Sequence, residues 1–544
     1  MPALHSLPPE IVTNIVSHLD RNDCITCIGV CQQWRRAIPP CSASLWTDVA
    51  IATNADYILD HIPYFAPHLR SVTLLSNFGE NRLYQALIKL QECHRIDRLK
   101  MQLASSMKHP EKLIQLLGAL SNNKLHHRLL TLELHSTRPL PSLSQIIAAC
   151  PNVTQLSYAV MPFSVAFRPK YLPMDTGNHV GLTTLRIDTK ETSFDLYAIL
   201  QHCPSLLRLK VNLMLQLDYH TILKACPSIQ YIHSGPFDLL YDYDTYTTTN
   251  DSYQGLRHLV LHEYRQDRIK NLATLDFILE QHSTLELLHL ELEGLIHSDW
   301  ENLVSRLSQH SFSRLETLCC RSLYGCKGRH LAAWITACPN LKHLHLCRLH
   351  QLDTPVWHSL PSLRSLEKLE LCIEHPDVLM DQQDQQHVTG RTTLHRHVSG
   401  ILPWFFQTIS QPNYPSLRYL SLSSMGSLLI DPAVLLAVAS ISTLENLTLE
   451  GVERMLVSHQ VMAQFLTRLQ QHGTLQHLTL IRVKCMEIDI LDILFGMSHL
   501  KTLKMDKCKP LTAEILEQWL DHRKNKNDTL LLDEIKVDDR IIVK

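Results

Sequence analysis

The feature that most constrains this chain is a recurring unit, LxxLxL with aliphatic swaps, that runs through most of its 544 residues. It opens with Leu69/Val72/Leu74, Ile96/Leu99/Met101, Leu129/Leu132/Leu134 and Val153/Leu156/Tyr158. Leu182/Leu185/Ile187, Leu206/Leu209/Val211 and a weaker Ile229/Ile232 follow. The middle holds Leu256/Leu259/Leu261, Leu285/Leu288/Leu290, Leu315/Leu318/Cys320, Leu341/Leu344/Leu346 and Leu366/Leu369/Leu371. The last block is Leu417/Leu420/Leu422, Leu444/Leu447/Leu449, Leu475/Leu478/Leu480, Leu500/Leu503/Met505 and a capping Leu532/Ile535/Val537. That makes about seventeen units, mostly 23 to 33 residues apart. A fixed period in this range overrides the several-domain expectation that length alone would raise.

The last two apolar positions of each unit alternate, so they share one face of a short strand and the residues between them share the other. No unit can bury its apolar face alone, so neighbours must stack. Segments such as 113–117 and 434–438 read as return helices covering the apolar side. The expected fold is therefore α/β: a leucine-rich repeat solenoid over 69–544, a horseshoe with parallel strands on the concave face and helices outside. Four junctions share Cys-Pro-x-aliphatic: Cys150-Pro151, Cys203-Pro204, Cys226-Pro227 and Cys338-Pro339. There the Cys is read as buried at a helix end, and the Pro stops the helix.

Residues 7–46 have a different pattern. Pro8 and Pro9 suit a helix start, and Ile11, Ile15 and Leu19 recur every four residues, with Val12 and Val16 beside them. Asp20-Arg21-Asn22-Asp23 marks a stop and a new start. Cys24, Ile25, Cys27 and Ile28 give a second helix its apolar side. Val30, Trp34 and Ile38 predict a third helix, ended by Pro39-Pro40. So short a segment cannot bury all this apolar surface by itself.

Leu7-Pro8, Glu10-Ile11, Ile15, Leu19, Val30-Cys31, Trp34-Arg35 and Leu45-Trp46, in that order and spacing, resemble an F-box. The departure is Cys24, where the family usually has leucine. The Cys-Pro junctions likewise resemble the cysteine-containing repeats of F-box leucine-rich proteins. The resemblance implies an F-box domain over 1–50, a linker or cap over 51–68, and docking on the Skp adaptor of a Skp–cullin–F-box ubiquitin ligase. By the same resemblance Leu7, Pro8, Ile11, Ile15, Leu19, Val30 and Trp34 make the adaptor contact, some of them, Trp34 above all, instead holding the helices together. A helical cap for the repeats is the alternative reading of this segment.

Lys plus Arg is 51 against 53 Asp plus Glu, a net charge of −2, so nothing points to nucleic acid or an acidic membrane. No secretory signal and no apolar run of membrane-spanning length is present. The 16 cysteines form no spacing ladder, which fits a reducing compartment, cytoplasmic or nuclear. The sequons at Asn152, Asn250, Asn446 and Asn527 then carry no meaning. Cys24, Cys27 and Cys31 lack the partners of a zinc finger. His387, His395 and His397 read as a solvated loop. Cys319, Cys320 and Cys326 read as two strand positions and a loop. There is no G-x-S-x-G, H-E-x-x-H or P-loop. The sequence thus points to no catalytic residue, no metal and no cofactor.

Three stretches break the period: 161–181, 235–254 with its acidic, tyrosine-bearing run, and the Gln/His-rich 374–400. Tyrosine favours interfaces, so the second is a candidate substrate loop, and the third is read as disordered. On the strand face away from the helices, His262, His289, Glu291, Arg321 and His345 stand out. They form a candidate substrate-binding set for an acidic or phosphorylated segment. The function implied is that of a non-catalytic substrate receptor, holding a protein substrate near a ubiquitin-charged enzyme. Two other readings stay open: an interaction scaffold that recruits no cullin, and an enzyme with a site around His262, His289 and Arg321.

Overall fold

A computed structural model of the chain describes residues 8–52, 56–75, 79–104, 107–122, 129–138, 140–160, 179, 181–189, 196–213, 217–235, 255–263, 268–292, 297–321, 328–349, 354–374, 401–411, 414, 417–425, 430–451, 457–484, 486–524, 533–538 and 540–543. The chain divides into two compact units, Met1–Leu256 and Arg257–Lys544.

The first unit begins with helices α1 (Pro9–Val16), α2 (Arg21–Val30), α3 (Gln32–Cys41) and α4 (Ala43–Trp46). Its parallel ladder follows: β1 (Asp48–Ile51), β2 (Ser71–Leu74), β3 (Arg98–Leu103), β4 (Thr131–Ser136), β5 (Gln155–Val160), β6 (Thr184–Thr189), β7 (Arg208–Leu213) and β8 (Tyr231–Ser234). The second unit carries β9 (His258–Glu263), β10 (Leu287–Leu292), β11 (Thr317–Arg321), β12 (His343–Leu349) and β13 (Lys368–Glu374). It continues with β14 (Tyr419–Met425), β15 (Asn446–Glu450), β16 (His477–Ile481), β17 (Thr502–Asp506), β18 (Glu534–Val537) and β19 (Arg540–Val543). All neighbours in the second ladder are parallel except β18 and β19, which reverse tightly at Asp538 with φ +43°. Asp tolerates that conformation better than most residues.

The register explains the repeat. Leu288 pairs with Leu259 and Leu318, Leu290 with Leu261 and Cys320, and Leu344 with Leu318 and Leu369. Each of these side chains is buried. Parallel strands need a long crossover, and helices such as Pro110–Ser121, Gly328–Thr336 and Pro432–Val438 supply it. The seventeen units read from the sequence occupy β2 to β18. An eighteenth precedes them: Trp46/Val49/Ile51 has the same spacing, and β1 pairs in register with β2. The ladder therefore begins at Asp48, within the last residues of the 1–50 segment read as the F-box domain. The stretch expected as a linker, 51–68, includes helix α5 (Asp56–Phe65). Phe65 stacks on Trp46 at 3.6 Å between ring centroids, so the helical segment and the ladder share a core.

The Cys-Pro junctions lie at helix ends as expected. Cys150, Cys203, Cys226 and Cys338 are all buried. The Cys338 thiol donates to the Trp334 carbonyl at 3.3 Å, and that of Cys226 to the Leu200 and Cys203 carbonyls, both at 3.3 Å. After two of the prolines, Asn152 donates to Ser121 O at 2.9 Å and Asn340 to Ser313 O at 2.7 Å, tying each turn to the one before. The interruptions at 161–178, 236–254 and 375–400 lie outside the described residues, as do His387, His395, His397 and Cys326. No described helix is long and apolar enough to cross a membrane.

Burial pushes the thiols of Cys150, Cys203, Cys226 and Cys338 up to about 12. An aromatic disulfide reagent at pH 8 is expected to label exposed Cys31 within seconds to minutes and these four only after unfolding. Mass mapping of the labelled peptides checks this, and rapid labelling of the four would contradict the packing.

Candidate functional site

Two places concentrate side chains that invite a partner. The first is the helical segment. Pro8 and Pro9 open α1, Val12 and Val16 face inward, and Ile11 and Ile15, one turn apart, face outward at 46% and 43% exposure. Val30 is 65% exposed. Elsewhere among the described residues Ile88, Leu130, Ile488 and Ile541 are similarly exposed, but no two of them lie on one helix as Ile11 and Ile15 do. Pro8 is exposed, while Leu19 and Trp34 are half-buried. Leu7 lies outside the described residues.

Local chemistry explains these helices and corrects three details. Asp20 caps α2: Asp23 N–H donates to Asp20 Oδ1 at 2.8 Å, and Asp20 N–H donates to Asp23 Oδ2 at 3.3 Å. That reciprocal cap breaks the chain after Val16, so Leu19 sits beyond α1 instead of on it. Val30 closes α2 and does not belong to α3, because Cys31 is extended, at φ −162°. Pro39 and Pro40 lie inside α3, which ends at Cys41. Proline's fixed φ suits a helix, and the Ser42 N–H closes the last turn onto Ile38 O at 2.9 Å. Cys24 is fully buried in the place of the usual leucine. The segment is locked to the ladder by Arg21, which donates to Leu45 O at 2.7 Å and to Asp48 O.

The second place is the β9–β13 face opposite the helices. The register forms two polar rows. One runs Val260, His289, Cys319, His345, Glu370; on the other, Glu291 pairs with His262 on one side and Arg321 on the other, and Cys347 pairs with Cys372. All five residues picked from the sequence are on these rows. His262 Nδ1 lies 2.8 Å from Glu291 Oε2, and Arg321 lies 3.5 Å from the same oxygen. The His262 and His289 rings are 4.6 Å apart, and His289 Nε2 is 3.7 Å from Cys319 Sγ. His345 Nδ1 contacts Glu370 Oε2 at 2.8 Å, and Lys368 reaches Glu370 at 2.9 Å. His262, His289, Glu291 and Glu370 are buried, while Arg321 and His345 are half-buried.

These partners change the chemistry expected of the set. Each carboxylate is already engaged, Glu291 by His262 and Arg321 from the two flanking strands and Glu370 by His345 from β12 and Lys368 from its own strand, so the rows mix acidic and basic side chains rather than forming a cationic cradle. Glu370 and Cys372 were missed in the sequence, although Glu370 sits between Leu369 and Leu371 of a plain repeat unit. Burial alone would raise the Glu370 carboxyl; the His345 contact and Lys368 outweigh it and hold it well below the usual carboxylate range. The Cys347 thiol is pushed up by its hydrogen bond with the Cys372 thiol and by burial. One ligand atom each from His262, His289 and Glu291 lies within 4.8 Å of the other two; an exposed set of His459, Glu487 and Asp489 meets the same distance.

Residues 4–52 match the F-box-like family model, and they form an F-box-like domain. Among curated proteins, none matches this sequence. Among solved structures the chain is similar to an internalin from Listeria monocytogenes str. 4b F2365, with 12% identity, 92% of this chain and 98% of that one covered, and a TM-score of 0.26. It is also similar to a chain of the Rad7 and Elc1 complex in yeast, with 12% identity, 94% and 87% covered, and a TM-score of 0.26. Superposition at this level is loose, and the repeat architecture stands on the strand register given above.

The Glu370 contacts make a pH prediction. A carboxyl whose folded pKa is depressed stabilises the fold fully above its unfolded value, near 4.5, and loses that contribution as pH falls through the folded value. Glu370→Gln is therefore expected to lower the unfolding midpoint at pH 7, with the gap to the parent protein closing below pH 4.5. Denaturant titrations from pH 7 to pH 3 check it, and a gap that widens toward acid would contradict it.

Proposed function

We propose that the chain is the substrate-recognition subunit of a Skp–cullin–F-box ubiquitin ligase, located in the cytoplasm or nucleus. The observation that carries this is the outward pair Ile11 and Ile15 on α1 of an F-box-like domain. Two aliphatic side chains one turn apart, left in water on a small helical domain, are what a helical adaptor partner would cover. Pro8, Leu19, Val30 and Trp34 extend the proposed contact, with Leu7 just before it. Through the adaptor the chain would reach a cullin and a RING subunit.

The repeat ladder then serves as the arm that holds a protein substrate. The proposed contact is the β9–β13 face, where Arg321 and His345 are half-buried. His262, His289 and Glu291 are buried and act by fixing Arg321 and the strands around it. Such a receptor needs no nucleophile, because its contribution is effective concentration.

The test is co-purification with a Skp adaptor and a cullin. Ile11→Asp with Ile15→Asp changes two exposed positions, so folding should be kept. It is expected to weaken adaptor binding at least thirtyfold, equivalent to ~2 kcal/mol for anchor residues. Adaptor binding by the parent chain without cullin recruitment would favour a scaffold role. Retention of the adaptor by the double variant would overturn the proposed contact.

A further inference from the structure

Two thiols and a base meet at one end of the β12–β13 pair. Cys347 on β12 is in register with Cys372 on β13. Each follows a buried leucine, so both stand on the face opposite the helices. The two thiols are hydrogen-bonded, and both are in the reduced form. His345, two residues back on β12, contacts Cys347 Sγ through Nε2 and Glu370 Oε2 through Nδ1, the latter at 2.8 Å. A base held by a carboxylate thus touches one of two paired sulfurs. Both cysteines are half-buried, within reach of a small solute.

We propose that Cys347 and Cys372 are a redox-active dithiol, closed to a disulfide by hydrogen peroxide and reopened by thiol reductants. The backbone fits such a bond. Paired strands run about 4.8 Å apart, inside the Cα separation of ~4.4–6.8 Å that a disulfide spans. The β12–β13 register shifts just past Cys347. A break of this kind bends the strand, which helps bring the two Cβ atoms to the ~3.8 Å the bond needs.

Burial and the bond to Cys372 hold the proton on Cys347, so Cys372 reacts first. Its thiolate takes one peroxide oxygen and becomes a sulfenic acid; the O–O bond breaks, and the other oxygen leaves with the Cys372 proton as water. A His345 that donates Nδ1–H to Glu370 presents Nε2 as an acceptor. Cys347 gives its proton to that nitrogen and attacks the Cys372 sulfur. The S–S bond forms, the S–O bond breaks, and the oxygen leaves with the relayed proton as a second water. Two thiols lose two electrons and two protons, and one peroxide becomes two waters. In a reducing compartment such a bond is transient, as in redox-sensing pairs. It would tie β12 to β13 beside His345 of the proposed substrate face, although the dithiol does not rest on that reading.

The test uses the full chain, reduced, cleared of reductant and exposed to hydrogen peroxide, then alkylated and digested with trypsin without reduction. The expected product is peptide 343–348 joined to peptide 369–391, parted again by dithiothreitol. Cys347→Ser should stop at a Cys372 sulfenic acid that dimedone traps, and His345→Gln should slow closure at least tenfold. If the two peptides of the parent protein stay unlinked while exposed Cys31 is oxidised, the proposal is overturned whether or not the variants fold. A bond from Cys347 to Cys319 instead, or a Cys372 sulfenic acid that persists in the parent protein, overturns it too. An unchanged closing rate in folded His345→Gln overturns the part given to the histidine.

Discussion

The structure depends on one constraint: every strand must present its two apolar residues to the same two positions on the next strand. Parallel pairing with no slip achieves this, as in the run Leu259, Leu288, Leu318, Leu344, Leu369, Leu420. A slip of one residue would turn the leucines out and the polar residues in. Truncating one such leucine removes contacts on both sides and costs about 2–5 kcal/mol. The helices, the buried Cys-Pro junctions and the Asn-to-carbonyl bonds all serve this register, because each fixes where the next strand starts.

The same register that aligns leucines on one face aligns polar residues on the other. That is why residues far apart in sequence become ladders of ion pairs, and why a His, a Glu and an Arg from β9, β10 and β11 meet around one carboxylate oxygen. The chemistry of this face is a by-product of the fold's periodicity, and it changes strand by strand. Toward the end of the second unit it is milder: Ser423 donates to Glu450 at 2.8 Å, and Arg482 reaches the same carboxylate at 2.7 Å.

The period made the strands legible in the sequence. LxxLxL places the strand and its facing by local rule, so β2 to β18 and most residues on the strand face opposite the helices could be read directly, Glu370 and Cys372 excepted. β1 escaped because Trp46 stands at the first position, where every other unit has an aliphatic residue, although the spacing of Trp46, Val49 and Ile51 fits. The boundaries of α1 and α2 depend on a capping exchange between Asp20 and Asp23, which overrides the four-residue rhythm of Ile11, Ile15 and Leu19. Ion pairing was not legible, because it depends on which residues fall opposite each other once loop lengths are spent. The sequence named His262, His289, Glu291, Arg321 and His345 as one set, while Glu370, two strands from Arg321, went unread.

The central claim is that the F-box-like segment is the docking element and the ladder is left free for substrate. Hydrogen–deuterium exchange of the full chain, with and without a purified Skp adaptor, tests it most directly. The account predicts slowed exchange confined to the segments covering α1 to α3, with the strands of both ladders unchanged. No protection anywhere, or protection centred on the strands with α1 unaffected, would contradict it.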